Sequence, residues 1–150
     1  MAANLLRSRQ MLRETYARNP LVLADTMATS PTDRNFIVRL QEIIHENFSN
    51  PDFKMNDIAE QMHMSRASFY RKIKGVLDLT PNDYLRLERL KMAAQLLKEK
   101  RYRVNEVCYM VGFSSTSYFT KCFQKQFGVL PKMFEADLER QEAERNRRQP

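Results

Sequence analysis

Glycine is scarce in this sequence, with only 3 glycines in 150 residues. A phosphate-binding loop or a dinucleotide-binding fingerprint needs several glycines for tight turns and close backbone approach, so both are excluded. Cysteine and histidine are also sparse, with two of each. Cys108 and Cys122 lie far apart, and His45 and His63 lack a companion at metal-ligand spacing, which excludes a disulfide scaffold and a zinc site. We expect no cofactor and a reducing compartment.

Long apolar stretches are missing too. No run approaches the roughly 18 residues of a membrane span, and the N-terminal MAANLLRSRQ lacks the apolar core of a secretory signal. The sequence therefore predicts a soluble, cytoplasmic protein without membrane contact. The histidines and cysteines lie in apolar helical patterns that indicate structural roles, so we predict that the chain is not an enzyme.

Basic charge is what the sequence has in excess, with 25 Lys+Arg against 18 Asp+Glu and a net charge of +7. The excess is concentrated in residues 51–130, which hold 14 basic and 8 acidic residues. Such a local excess is typical of a polyanion-binding module, because neutralising phosphates supplies most of the nonspecific affinity for nucleic acid. The simpler alternative is a charge that only maintains solubility.

Apolar residues recur at helical spacing along the chain, which predicts an all-α fold of about seven helices. Thr32 or Asp33 is available as the N-cap of a first core helix, and Thr80 followed by Pro81 predicts the start of a long helix near residue 81. We expect two helix-turn-helix subdomains joined by a long connecting helix. The predicted segments are an amphipathic helix and linker at 1–31, a first subdomain at 32–84, the connecting helix at 81–99, a second subdomain at 100–140 and a charged tail at 141–150.

An internal repeat supports this division. The apolar pattern around Ile58 and Met62 returns around Val107 and Val111 at a constant offset that also pairs Ser65 with Ser114. Beyond those serines the offset grows by one residue, so one extra residue enters the second turn. Two copies do not make a solenoid, which needs three or more stacked units. A duplicated helix-turn-helix follows.

A helix-turn-helix places its second helix in the major groove of DNA, which is about 12 Å wide. If the apolar stripe of each second helix is buried, the opposite face is free to read bases. We predict base contacts in the first unit from Arg66, Ala67, Tyr70 and Arg71, and in the second from Ser115, Thr116, Ser117, Thr120 and Lys121. Arg71 can read guanine bidentately, whereas the short hydroxyls predict looser reading by the second unit.

Contacts with the DNA backbone are predicted at the helix starts and at the flanking lysines, namely at Lys54, Ser65, Lys74, Ser114 and Lys125. Ser65 and Ser114 are predicted N-caps, and a helix N-terminus also attracts phosphate oxygens. Helix capping alone explains the serines equally well, and simple solvation explains each lysine.

Two motifs carry a family resemblance. S-x-x-x-F-x-R-x-I-K runs from Ser65 to Lys74, and G-F-S-x-x-S-Y-F-x-K-x-F runs from Gly112 to Phe123. With the Thr80-Pro81-x-x-Tyr84 motif, they resemble the AraC/XylS transcription regulators over about residues 36–138. The resemblance implies two recognition helices in successive major grooves of double-stranded DNA, activation rather than repression, and RNA polymerase as a possible partner. Asp78 replaces the family's usual glycine after the first recognition helix, which puts that helix end in doubt.

The segment before the first subdomain resembles the stretch between the receiver and DNA-binding domains of hybrid two-component sensors. This resemblance implies that the chain is a C-terminal part of such a protein, with phosphorylation in a separate receiver domain. Leu5, Leu6 and Leu12 have no obvious partner within the chain. We therefore expect the N-terminal helix to pair two protomers of a homodimer when it is joined to its upstream regions.

Two other classes of function remain open. A helical protein-interaction domain without sequence-specific DNA binding would use the same 9 Met and 9 Phe residues as core and interface. A reader of single-stranded RNA would need exposed aromatic platforms, for which Tyr70, Tyr102 and Tyr109 are the candidates.

Overall fold

The structure is a computed structural model that describes residue 11 and residues 14–21 and 30–149. Within this part of the chain the fold is all-α, as the periodicity predicts. Residues 14–18 are helical, and a 3-10 turn (Pro131–Met133) precedes the last helix. The remaining helices are α1 (Pro31–Asn47), α2 (Met55–Gln61), α3 (Arg66–Leu77), α4 (Pro81–Lys98), α5 (Val104–Met110), α6 (Thr116–Phe127) and α7 (Phe134–Arg148).

Side-chain caps define the starts of α1 and α4. The Thr80 hydroxyl accepts from the Asp83 backbone N–H, and Pro81 is the first residue of α4, as predicted. The start of α1 differs from the prediction of a cap at Thr32 or Asp33. Ser30 is the N-cap and accepts from the Asp33 N–H, because proline at position 31 fits the first helical turn, where a missing N–H costs nothing.

The two helix-turn-helix units, α2–α3 and α5–α6, have closely similar turns. His63 N–H donates to the Glu60 carbonyl in the first turn, and Gly112 N–H donates to the Tyr109 carbonyl in the second. Both residues adopt positive φ, 56° at His63 and 92° at Gly112. Helix α3 begins three residues after His63, whereas α6 begins four residues after Gly112. The second turn is therefore one residue longer, which confirms the extra residue in the repeat.

Asp78 ends α3 in the left-handed conformation, with φ of 57°, and Gly128 ends α6 with φ of 77°. Aspartate tolerates this region better than most residues do, because its short polar side chain can make local hydrogen bonds. The substitution of the family's glycine therefore leaves the end of the first recognition helix intact.

Helix α4 lies between two hydrophobic cores and supplies side chains to both. Tyr84, Leu85 and Leu87 pack into the first core, with α1, α2 and α3. Leu90, Ala93, Ala94 and Leu97 pack into the second core, with α5, α6 and Phe134 of α7. At 1.5 Å per residue its 18 residues span about 27 Å. The connecting helix is thus buried on most of its circumference.

Three charged side chains are buried in the middle of α4, namely Glu88, Arg89 and Lys91. The Arg89 guanidinium donates from Nη1 to the Val111 carbonyl and from Nη2 to the Asn50 carbonyl, at 3.1 Å each. These two contacts connect the loop after α1 with the turn of the second unit. They replace the water that the buried guanidinium gives up on folding.

The described part of the N-terminal segment docks on the domain. Tyr16 is buried, and its hydroxyl donates to Glu88 Oε1 at 2.6 Å. The Lys91 ammonium donates to the Asn19 carbonyl at 2.7 Å and lies 4.2 Å from the centre of the Tyr16 ring. Burial raises the pKa of Glu88 and, with the adjacent Glu88 charge, that of Tyr16. Leu5, Leu6 and Leu12 lie outside the described residues.

The C-terminal segment, predicted to be a charged tail at 141–150, is helical up to residue 148. Helix α7 continues without interruption through residue 140 to Arg148. Acidic residues in its first turn and arginines in its last turn favour this extension, because they complement the helix dipole.

Gly112 has a steric requirement that Gly128 lacks, although both have positive φ. A Cβ at Gly112 would lie 1.7 Å from Arg89 Nη1 and 2.2 Å from the Phe48 carbonyl oxygen, whereas a Cβ at Gly128 would meet nothing within 4 Å. We expect Gly112→Ala to lower the free energy of unfolding by about 3 kcal/mol or more, and Gly128→Ala by about 1 kcal/mol. Urea unfolding measures both, and equal losses would contradict the steric argument.

Lys91 should make stability depend on pH. Burial lowers the pKa of its ammonium to about 8 in the folded state, with Glu88 opposing the shift. The unfolded chain keeps this proton to about pH 10, so between pH 8 and 10 it binds more protons than the folded state does, and stability rises with pH. We expect the free energy of unfolding of the wild type minus that of Lys91→Met to increase by about 1–2 kcal/mol over this window. Urea titrations at several pH values measure it, and a pH-independent difference would refute the expectation.

Candidate nucleic-acid interface

The outer face of α3 carries the side chains predicted to read bases. Phe69 and Ile73 are buried, whereas Arg66, Ala67, Tyr70 and Arg71 are exposed. The side chains of this helix therefore divide between core and solvent as the periodicity predicts. The face combines two guanidinium groups with one aromatic ring, and Tyr70 remains 47% exposed.

Helix α6 repeats this arrangement with smaller side chains. Phe119 and Phe123 are buried. Ser117 and Lys121 are exposed, and Thr116 and Thr120 are partly exposed. Counting each helix from its first residue, Lys121 takes the position of Arg71. The two recognition helices therefore present a cation at the same place, surrounded by long side chains in α3 and by hydroxyls in α6.

Serine caps both recognition helices, but the second cap is not the predicted one. Ser65 accepts from the Ser68 N–H, as predicted. In the second unit Ser115, rather than Ser114, accepts from the Tyr118 N–H. The extra residue lies before the cap rather than after it, so Ser115 is the counterpart of Ser65. The predicted roles are corrected accordingly: Ser115 is the cap at the helix start, and Ser114 lies in the exposed turn ahead of it.

The lysines predicted to contact phosphates have different surroundings. Lys54 and Lys125 are exposed, and Lys74 forms an exposed ion pair with Asp78 at 3.6 Å. Lys72 points the other way, because its ammonium contacts Asp33 Oδ1 at 2.7 Å and lies over the Phe36 ring. A DNA phosphate can compete with Asp78 for the Lys74 ammonium, because an exposed ion pair is weak.

A cleft of about 270 Å³ separates the two helix-turn-helix units. Among its lining residues are Asn82, Arg86, Arg89, Ser114 and Tyr118. Arg86 contacts Asp83 Oδ1 at 2.6 Å. Its pKa is raised by Asp83 and Tyr118 against the opposing effect of burial. The cleft therefore places a firmly charged guanidinium beside the N-terminal turn of the second recognition helix.

Tyr118 is a candidate contact that sequence reasoning missed. Its side chain is 51% exposed, and its ring lies 5.9 Å from that of Phe113. The sequence does carry a signal for it: Phe119 belongs to the buried stripe, and the residue before it on a helix lies on a different face. The tyrosine hydroxyl interacts with Arg86, and both side chains line the cleft.

Other sites find no support in the part of the chain that the structure covers. There, no three His, Cys, Asp or Glu side chains lie together so that they could share a metal ion. Likewise, no helix among those residues is long and apolar enough to cross a bilayer.

Two helix-turn-helix units on a shared central helix, each with a basic exposed recognition helix, define a DNA-binding domain of transcription regulators. A family model described as "Helix-turn-helix domain" matches residues 58–137. The chain belongs to this AraC-type helix-turn-helix family, whose members bind DNA sequence-specifically in transcription regulation.

Two bacterial relatives of the chain are both longer than it is and differ from each other in length. The chain is 30% identical to "Histidine kinase P4" of Formosa agariphila over 132 residues, which is 88% of this chain and 10% of the kinase. It is 36% identical to "Transcriptional activator AggR" of Escherichia coli over 77 residues, which is 51% of this chain and 29% of AggR. The chain therefore spans only a small part of these curated relatives.

A solved structure resembles the domain over most of its length. The C-terminal domain of AraT, a response regulator from Geobacillus stearothermophilus, superposes with a TM-score of 0.60 at 29% identity. The match covers 72% of this chain and 86% of that chain. This likeness links the domain to proteins of two-component signalling.

The corrected cap position can be tested by a matched pair of variants. We expect Ser115→Ala to lower the free energy of unfolding by about 1 kcal/mol, because it leaves an N–H at the start of α6 without its acceptor. Ser114→Ala should change stability by less than about 0.5 kcal/mol, as surface substitutions usually do. Thermal or urea unfolding distinguishes the two, and the reverse order would restore Ser114 as the cap.

Proposed function

We propose that α3 and α6 insert into successive major grooves on one face of double-stranded DNA, and that this binding regulates transcription. The observation that supports this most directly is the repeated exposed face, with Arg71 and Lys121 at matching positions on two helices held by one rigid helix. A connecting helix of about 27 Å is comparable in length with the groove repeat of about 34 Å.

Within this proposal the roles of the side chains follow from their chemistry. Arg71 reads guanine through two hydrogen bonds, and Arg66 and Tyr70 add contacts beside it. Ala67 is too small for polar reading. In the second unit bases are read with lower specificity, by Thr116, Ser117, Thr120 and Lys121. Ser115 contributes by capping the N-terminus of α6. Phosphates are contacted by Lys54, Lys74 and Lys125, by the helix start at Ser65 and by Ser114 in the turn before α6.

We propose further that the domain is the DNA-binding output of a two-component signalling protein that acts in the bacterial cytoplasm. The similarities to a much longer kinase and to a response regulator support this. Catalysis and phosphorylation then belong to other domains, and this domain is not an enzyme. Activation of transcription, contact with RNA polymerase and pairing of two copies through the N-terminal segment complete the proposal.

The experiment that tests DNA recognition is selection of bound duplexes from a random pool at two salt concentrations, followed by titration of the selected sequence. A shared motif in two parts, separated by one helical turn, is the expected result. Salt-sensitive binding without a motif would leave only nonspecific affinity. An absence of binding would overturn the proposal in favour of a protein-interaction domain.

Replacement of Arg71 tests the assignment of base reading. We expect Arg71→Ala to weaken binding to the selected site by about 1–3 kcal/mol and to relax the preference at one base pair. Lys72→Ala is the matched control, because it removes the same charge from the same helix but from a side chain turned toward Asp33. Competition titrations against single-base variants of the site measure both, and an equal loss on every sequence would reassign Arg71 to a phosphate.

A further inference from the structure

Arg89 lies near the middle of α4, where the two hydrophobic cores meet. Its side chain is 7% exposed, and its two guanidinium contacts reach opposite halves of the domain. Asn50, the acceptor of Nη2, lies in the loop that leads from α1 into the first helix-turn-helix. Val111, the acceptor of Nη1, begins the turn of the second. One planar group therefore joins the loop before the first helix-turn-helix, within the first subdomain, to the turn of the second.

The glycine beside Val111 makes this contact possible. The guanidinium occupies the space that a Cβ at position 112 would need, and the carbonyl of Phe48 at the end of α1 lies there too. The counterpart of Gly112 in the first turn is His63, which also has a positive φ but is exposed. Gly112 thus lies against the junction, while His63 faces solvent.

The orientation of the two units matters if both bind one DNA duplex. One base pair shifts a half-site by about 3.4 Å along the helix and turns it by about 35° around the axis. Two linked modules gain avidity only when their geometry lets both engage together, and a stiff connection makes that gain depend steeply on the distance between the half-sites. Any group that fixes the two units relative to each other therefore affects DNA selection.

We propose that Arg89 is a positioning residue that locks the two helix-turn-helix units in one relative orientation and thereby sets the spacing of the DNA half-sites that the protein accepts. This inference rests on the proposed two-groove binding. Arg89 acts through the carbonyls of Asn50 and Val111: it lies at the floor of the cleft between the units but is 7% exposed, and it belongs to neither recognition helix. The guanidinium suits this role because its fork of donors holds two acceptors in a fixed plane, which a single ammonium cannot do.

The test uses the protein with Arg89→Met, which keeps a long side chain and removes both hydrogen bonds. Lys98→Met is the control, because it removes one positive charge from an exposed position of the same helix. Affinity is measured for duplexes in which the selected half-sites keep their spacing or are moved by one to three base pairs, and for duplexes with one half-site scrambled. Arg89→Lys provides a second, milder variant, and thermal unfolding identifies a temperature at which every variant is folded.

We expect the wild type to lose about tenfold or more in affinity when the spacing changes by one base pair. For Arg89→Met the affinity at the native spacing falls about tenfold, and the penalty for altered spacing shrinks to about threefold or less. Affinity for a single half-site stays unchanged. Arg89→Lys falls between, and Lys98→Met keeps the spacing preference of the wild type.

Two results would overturn the inference while leaving two-groove binding in place. One is a spacing profile of Arg89→Met that equals that of the wild type. The other is an equal loss on every duplex, single half-sites included, which would reduce Arg89 to general structural support. A wild type that binds without any two-part preference would instead overturn the proposed function, and this inference with it.

Discussion

The shared connecting helix is the constraint on which the rest of this domain depends. Each subdomain, with its helix-turn-helix unit, has only about 40–50 residues, a size at which a single core is marginal. Both units solve this by packing onto opposite parts of α4, so neither core is complete without it. A helix that serves two cores has little exposed surface, which explains why it shows apolar residues at several faces rather than one stripe.

The same burial accounts for the charged residues in that helix. A charge taken out of water requires compensation by hydrogen bonds or an opposite charge. Arg89 finds it in two carbonyls, and Glu88 and Lys91 find it partly in the Tyr16 hydroxyl and the Asn19 carbonyl of the N-terminal segment. The buried polar groups thus require neighbours with matching donors or acceptors, whereas a purely apolar helix surface could pack against many different segments. They tie both the second unit and the upstream segment to one register on α4.

Helical periodicity, proline positions and the repeat were enough to predict the helices, the start of α4 and the outward faces of α3 and α6. These features depend on local rules. The cap at Ser115 could not be chosen from the sequence, because two adjacent serines fit equally well until the length of the turn is known. The docking of Tyr16 and the inward turn of Lys72 depend on partners 72 and 39 residues away. Helical periodicity does not predict contacts between residues so far apart in the chain.

The contrast between His63 and Gly112 gives the two halves of the fold different tolerance to substitution. In the first turn the His63 side chain faces solvent, so that position can change without disturbing the rest of the domain. Around Gly112 the backbone touches both a buried guanidinium and the other unit, so almost any change there is felt across the junction. New binding preferences should therefore arise more readily by remodelling the first unit, while the second acts as the fixed reference against which they are aligned.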